Sequence, residues 1–291
     1  MKTLREALLQ KYPKNGKIAE RWQETTGTPF AWESLTKPNM AIFATGLCNN
    51  MAQSSARQYC AKLKAVIELY TDEVELPKEW RKALTVKDDE SQHVYLTEDE
   101  IRRIIEYRPD SLTEAIVQQQ FILGCLTGAR HSDFCRFTEA NVNDVGNLVY
   151  VSKKTHVKAE LPLSPVAREI LFGKGHPFAG AYRQEVSDPT FNDTIRHICD
   201  MCDIDQEIQL YRRGEFWTGR KCEAVSSHTA RRSFATCLYL RCRDLMLVSK
   251  LCGHSSPEMT ARYVSCGMES LTENAMNYFK TFNIFAPSLK S

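Results

Sequence analysis

The segment SSHTARRSFATCLYLRCRDLMLVSKLCGHSSPEMTARYV, residues 226–264, sets His228 and Arg231 three residues apart. It then brings His254 after a Leu-Cys-Gly step and Tyr263 nine residues later. Residues three apart on a helix share one face, so an imidazole and a guanidinium there can address the same small anion. Arginine's planar fork donates to two oxygens at once and stays charged at any physiological pH. The anion this suits is phosphate, above all a phosphodiester under attack, where charge builds on the non-bridging oxygens. Adjacent to Arg231, Arg232 turns about 100° away on a helix and is set apart from the face of His228.

A second arginine stands in Leu126-Thr-Gly-Ala-Arg-His-Ser-Asp-Phe134. Thr127-Gly128 ends an apolar helix running from Ala115 to Leu126, and Gly128 is free to turn left-handed, so Arg130 emerges at a fixed place. Asp133 could hold its guanidinium by a charge-assisted bond. Taken together, TGARHSDF, HTAR, LCGHS and a tyrosine nine residues after the last histidine resemble the tyrosine recombinase (phage integrase) family.

Carried over residue by residue, the resemblance implies a nucleophile at Tyr263, phosphate-binding arginines at Arg130 and Arg231, and active-site histidines at His228 and His254. It also implies a lysine on a β-hairpin between the two arginines. Residues 147–163, NLVYVSKKTHVKAELPL, supply that hairpin: two alternating, β-branched-rich runs flank a polar Lys153-Lys154-Thr155-His156 tip. Lys154 lies eight residues before Pro162, the family's spacing, and is chosen over Lys153 and Lys158. Asp133 stands where a glutamate is more common in the family and is expected to support Arg130 with a shorter reach.

The elements that position these groups read as mainly helical with a small β-hairpin, an α+β chain. Residues 1–80 predict a helical domain, with helices over Leu4–Tyr12, Gly16–Thr26, Trp32–Met51 and Ser54–Tyr70. Residues 81–94 read as a linker by composition. Thr97 with Glu100 then caps the first helix of a second domain, 95–291, the catalytic one. Ser164-Pro165 and Ser187-Asp-Pro189 open further helices, Ser226-Ser227 cap the HTAR helix, and Ser255-Ser256-Pro257 begins the one expected to bear Tyr263. An amphipathic helix over about 270–282 is expected last. The resemblance implies that the N-terminal domain clamps the core site of the DNA, and that the last helix is an assembly element passed to a neighbouring protomer.

The chain has 291 residues with a formal net charge of +2, so a local basic surface, not the sum, must meet DNA. Candidates for that surface are Arg57, Lys62 and Lys64 on the fourth helix, Lys153 on the hairpin tip, and Arg212, Arg213 and Arg220 ahead of the HTAR helix. Eleven cysteines without a secretory signal point to reduced thiols, and Cys199-Asp-Met-Cys202 beside His197 lacks a second pair at zinc-finger distance. No apolar run reaches the length of a membrane span, so the expectation is a cytoplasmic protein working on DNA.

The implied activity is site-specific recombination, as for an integrase of a phage or mobile element. Tyr263 attacks a phosphodiester to leave a 3′-phosphotyrosyl link and a 5′-hydroxyl, with no metal, cofactor or ATP. A phenol holds its proton at neutral pH, so His228 serves as acceptor. His254 donates to the phosphate, and Lys154 protonates the departing oxygen. The expected partners are double-stranded recombination sites, further copies of the chain in a tetramer, and accessory DNA-bending proteins. Alternatives are a silent DNA-binding protein of the same fold, a type IB topoisomerase-like strand transferase, and a metal-dependent nuclease, whose paired carboxylate ligands do not stand out.

Overall fold

The computed structural model describes residues 2–87, 92–175, 177–212, 215–254, 256–261, 263 and 264. They divide into two units, Met1–Ser91 with Tyr211–Trp217, and Gln92–Leu210 with Thr218–Ser291. The chain is mainly α with small antiparallel hairpins.

In the first unit the helices are α1 (Leu4–Lys11), α2 (Lys17–Thr26), α3 (Lys37–Asn50), α4 (Gln53–Ile67) and the short α5 (Trp80–Ala83). Thr3 and Glu6 form a capping box on α1. The helix expected over Trp32–Met51 is broken, because Thr36 caps a new start at Lys37, its hydroxyl accepting from the Asn39 N–H, with a proline in the first turn. Trp22 is fully buried and meets Phe30 and Phe43, while Leu63 and Ile67 bring α4 onto the same core. Trp80, Leu84 and Val86 are buried in that core too. Leu84 and Val86 fall within the span 81–94 that reads as a linker by composition, and both pack into this core.

The second unit begins with α6 (Glu98–Glu106), α7 (Leu112–Thr127) and α8 (His131–Phe134). A hairpin follows, β1 (Asn147–Val151) with β2 (Lys158–Pro162), then α9 (Pro165–Phe172) and α10 (Asp188–Met201). A second hairpin of β3 (Glu207–Arg212) and β4 (Glu215–Arg220) precedes α11 (Ser227–Cys242), α12 (Leu245–Cys252) and α13 (Pro257–Ala261). That second hairpin occupies what reads in sequence only as an arginine-rich segment. Among the described residues no helix is long and apolar enough to cross a membrane. The C-terminal segment 270–282 lies outside the described residues.

Helix α7 is the axis of this unit. It is buried on nearly every side, so its polar residues must find partners. Gln118 donates to the Ile104 and Tyr107 carbonyls, Gln119 to Phe178, and Gln120 to Tyr182 and Gln184. Three consecutive glutamines thus bind surrounding backbone in different directions. Lys221 meets both carboxylate oxygens of Glu100 at 2.7 and 2.6 Å, a buried pair that ties the end of β4 to α6.

Close approach of α7 to α11 sets up the chemistry. A Cβ on Gly124 would lie 2.7 Å from that of Ala230, and one on Gly128 would lie 2.5 Å from the Phe234 ring. Gly128 also has φ +65° and ends α7 in the left-handed conformation. The two glycines let the arginine following α7 and the arginine on the first turns of α11 converge.

Candidate active site

Arg231 is 1% exposed, and its Nη1 donates to the carbonyl of Gly128, the glycine that ends α7. Its Nε and Nη2 are buried and have no partner. Arg130, at the N-cap of α8, is buried beside it, and the two guanidiniums are close enough for each to bear on the other's neighbourhood. Burial and the Arg231 charge lower the Arg130 pKa, the cost of two like charges held out of water. An anion relieves both.

His254 follows α12, which ends at Gly253 with φ +61°. Its backbone N–H bonds to Ser249, its Nδ1 lies 2.8 Å from the Thr260 hydroxyl, and its Nε2 is buried without a partner. Burial, reinforced by Arg231 and Arg130, pushes its pKa down to about 3. His254 is therefore neutral at neutral pH, and in the tautomer where Thr260 donates to Nδ1 its Nε2 carries the proton.

Tyr263 does not stand on a helix. Helix α13 is described over Pro257–Ala261, and Tyr263 lies in a turn, its N–H bonding to the Thr260 carbonyl. Its ring centroid is 4.9 Å from that of His254, and its face has Arg231 at 5.6 Å and Arg232 at 5.2 Å. Helix α11 starts at the Ser226 cap, and His228 lies in its first turn. Burial first, then Lys154, Arg232, Arg231 and Arg130, lower the His228 pKa. Neutral His228 can accept a proton, and Lys154 is among the charges that bear on it.

Two expectations change here. Arg232 is not set apart from His228: residues four apart on a helix share a face, and both line one cavity of about 300 Å³ with Tyr263. The spacing was there to be read. Asp133 does not bond to Arg130 directly, because its short side chain stops at the Ser152 hydroxyl (3.0 Å) and the Lys153 N–H (2.9 Å). Ser152 in turn accepts from Arg130 Nη1 at 2.8 Å. Sequence reasoning missed Ser152, whose type and place in a strand end carry no signal of their own.

The basic residues assigned to DNA differ in their surroundings. Lys62 donates to Asn15 and Lys64 to Thr85, and Arg220 is paired with Asp200 and Glu223. Those three are committed within the chain, so phosphate contact by them requires breaking bonds already made. Arg57 and Lys153 are exposed, and Arg212 stacks 4.7 Å over Trp217. Arg213 lies outside the described residues. Cys199 and Cys202 are buried at the end of α10, and among the described residues no three His, Cys, Asp or Glu converge in a way that could hold a metal.

Because His228 and His254 have lowered pKa values in the fold, the unfolded chain binds more protons at mild acidity. The sign follows: stability is full above about pH 6.5, and falls as pH drops from there toward the folded values. The thermal midpoint of the second unit is expected to fall between about pH 7 and about pH 4, less so in His254→Asn. Added sulfate, which pairs with Arg231 and His254, should raise it most at the acid end. A midpoint indifferent to both pH and sulfate would contradict the site as described.

Comparison with known proteins gives a consistent picture. The model of the phage integrase family matches residues 94–269. Tyrosine recombinase XerC of Chlamydia caviae is 24% identical over 221 residues, covering 75% of this chain and 66% of the relative, a little under two thirds of its length. Among solved structures, a lambda integrase(75-356) dimer bound to a COC' core site superposes with TM-score 0.63 at 19% identity, over 91% of this chain and 97% of that one. XerH recombinase bound to a palindromic difH substrate superposes with TM-score 0.63 at 13% identity, over 89% and 78%. At these identities the structural likeness is one of fold.

Proposed function

Because this chain belongs to the phage integrase family, we propose that it is a site-specific DNA recombinase that cuts and rejoins strands through a 3′-phosphotyrosyl link on Tyr263. The observation that carries this reading is the set of buried, unpartnered nitrogens on Arg231 and His254 beside the Tyr263 ring. Unmet buried donors are costly, and an oxyanion held against the tyrosine satisfies them all.

In the reaction, the Tyr263 oxygen attacks the phosphorus and the bond to the 5′ oxygen breaks. Arg130 and Arg231 take the charge growing on the non-bridging oxygens, with His254 Nε2 donating a further bond. His228 accepts the phenol proton, and Lys154 delivers one to the departing 5′ oxygen. The new phosphotyrosyl ester keeps the energy of the bond it replaced, so a second 5′-hydroxyl can reverse the step on another strand without ATP. Guanidinium charge supplies the phosphate stabilisation for which other phosphoryl-transfer sites use a metal.

The substrates in this reading are double-stranded recombination sites, with the N-terminal helical unit and its exposed Arg57 on α4 serving as a DNA clamp. Copies of the chain assemble on the DNA, to a tetramer at synapsis, with the segment 270–282 as the assembly element and accessory DNA-bending proteins assisting. Movement of a phage or mobile element is the biological setting proposed.

The test uses the protein with EDTA and a nicked duplex carrying its recombination site. The expected result is a protein–DNA adduct that survives denaturant. Tight, specific binding with no adduct would overturn the reading in favour of a silent DNA-binding protein.

A further inference from the structure

Ser152 is 2% exposed and stands where the end of β1 enters the turn bearing Lys154. Its backbone closes that turn, the N–H donating to Val157 at 3.0 Å and the carbonyl accepting from His156 at 2.9 Å. Its hydroxyl has two partners, Asp133 Oδ2 at 3.0 Å and Arg130 Nη1 at 2.8 Å. The direction of both bonds is forced. A carboxylate only accepts and a guanidinium only donates, so the serine proton points to Asp133 and its lone pair to Arg130.

We propose that Ser152 is a positioning residue for strand cleavage, carrying the Asp133 carboxylate to Arg130 and fastening the Lys154 turn to the same guanidinium. This rests on the function proposed above for Arg130 and Lys154. Asp133 completes the fastening, since its other oxygen takes the Lys153 N–H, one residue from Lys154. The carboxylate, the serine hydroxyl and one amide thereby set the separation between the arginine that holds the phosphate and the lysine that serves the leaving oxygen, the Thr155 hydroxyl at 3.5 Å from Arg130 Nη1 being a longer second contact. A misplacement of that separation costs rate without costing DNA affinity.

One methylene more on residue 133 extends its reach by about 1.5 Å, enough to span toward Arg130 without an intermediary. That gives a reciprocal test. In single-turnover cleavage of a nicked duplex at saturating protein, Ser152→Ala is expected to lower the rate by about 10- to 100-fold, the range for losing a buried bond to a charged group. DNA affinity should stay within about twofold, because Arg130 keeps its charge. Adding Asp133→Glu to Ser152→Ala should recover most of the loss, while Asp133→Glu alone, which drives the carboxylate into the serine hydroxyl, should be slower than wild type.

Hydrogen exchange gives a readout that needs no reaction. The Lys153 amide should exchange at least about tenfold faster in Ser152→Ala than in wild type, as expected when a local opening becomes easier. The proposal is overturned when wild type cleaves and Ser152→Ala cleaves within about twofold of it, or when the double variant is no faster than Ser152→Ala. Should wild type form no adduct, the functional reading fails on its own, and unchanged Lys153 exchange would then reject the role of Ser152.

Discussion

Tyr263→Phe is expected to lower covalent adduct formation by at least about 10⁴-fold, leaving no nucleophile at the site. The substitution removes one oxygen and keeps the ring. The ring is what packs, against His254 and beneath Arg231 and Arg232, so the local structure has no reason to change. DNA affinity should therefore hold within about twofold, and the thermal midpoint should shift little. The hydroxyl nearest in the chain, Thr260, is fully buried and occupied by His254 Nδ1, so it offers no substitute. A Tyr263→Phe protein with residual cleavage above a hundredth of wild type, measured on the same nicked duplex, would place the nucleophile elsewhere.

Arg231→Lys has the next largest effect expected, a loss of about 10³-fold in cleavage rate. Charge is retained, which makes the comparison informative. The guanidinium spans two jobs in one plane, with Nη1 on the Gly128 carbonyl and Nε and Nη2 left for an anion. An ammonium is a point donor on a flexible stem and cannot hold the carbonyl and two phosphate oxygens together. Loss of the Gly128 contact also frees the left-handed end of α7, from which Arg130 emerges, so both arginines suffer. The measurement is single-turnover cleavage with a parallel thermal melt. Near wild-type cleavage in Arg231→Lys would mean that charge alone, not the fork, stabilises the transition state.

What was legible in the sequence was whatever depends on local chemistry. The Thr97–Glu100 capping box forms as its spacing requires, and the β1–β2 register puts Leu148, Tyr150, Ala159 and Leu161 inside. Gly128 and Gly253 both end their helices in the left-handed conformation. Arg130, His228 and His254 each sit one or two residues from such a stop or cap, so order and spacing along the chain were enough to locate them.

What was not legible depends on reach across the fold. Asp133 and Arg130 are three apart in sequence, yet their connection runs through Ser152, which lies 19 residues from the aspartate. The β3–β4 hairpin was hidden because its strands show no clean alternation: Phe216 is 70% exposed, and the aromatics there pair with each other and with Arg212. Ser255-Ser256-Pro257 is a helix start, but a start says nothing about length, and Tyr263 lies in a turn. Composition alone does not show that Lys62, Lys64 and Arg220 are already bonded within the chain.

In the proposed reaction a single phenol, aligned by two arginines, carries the strand. Its most direct test is to trap the adduct on a nicked duplex with EDTA present, digest the protein, and identify the modified peptide and the DNA end it holds. One nucleotide-bearing peptide is expected, modified on Tyr263 and joined to a 3′ phosphate, with a free 5′-hydroxyl released in equal amount. An adduct on any other residue, or one joined through a 5′ phosphate, would contradict it.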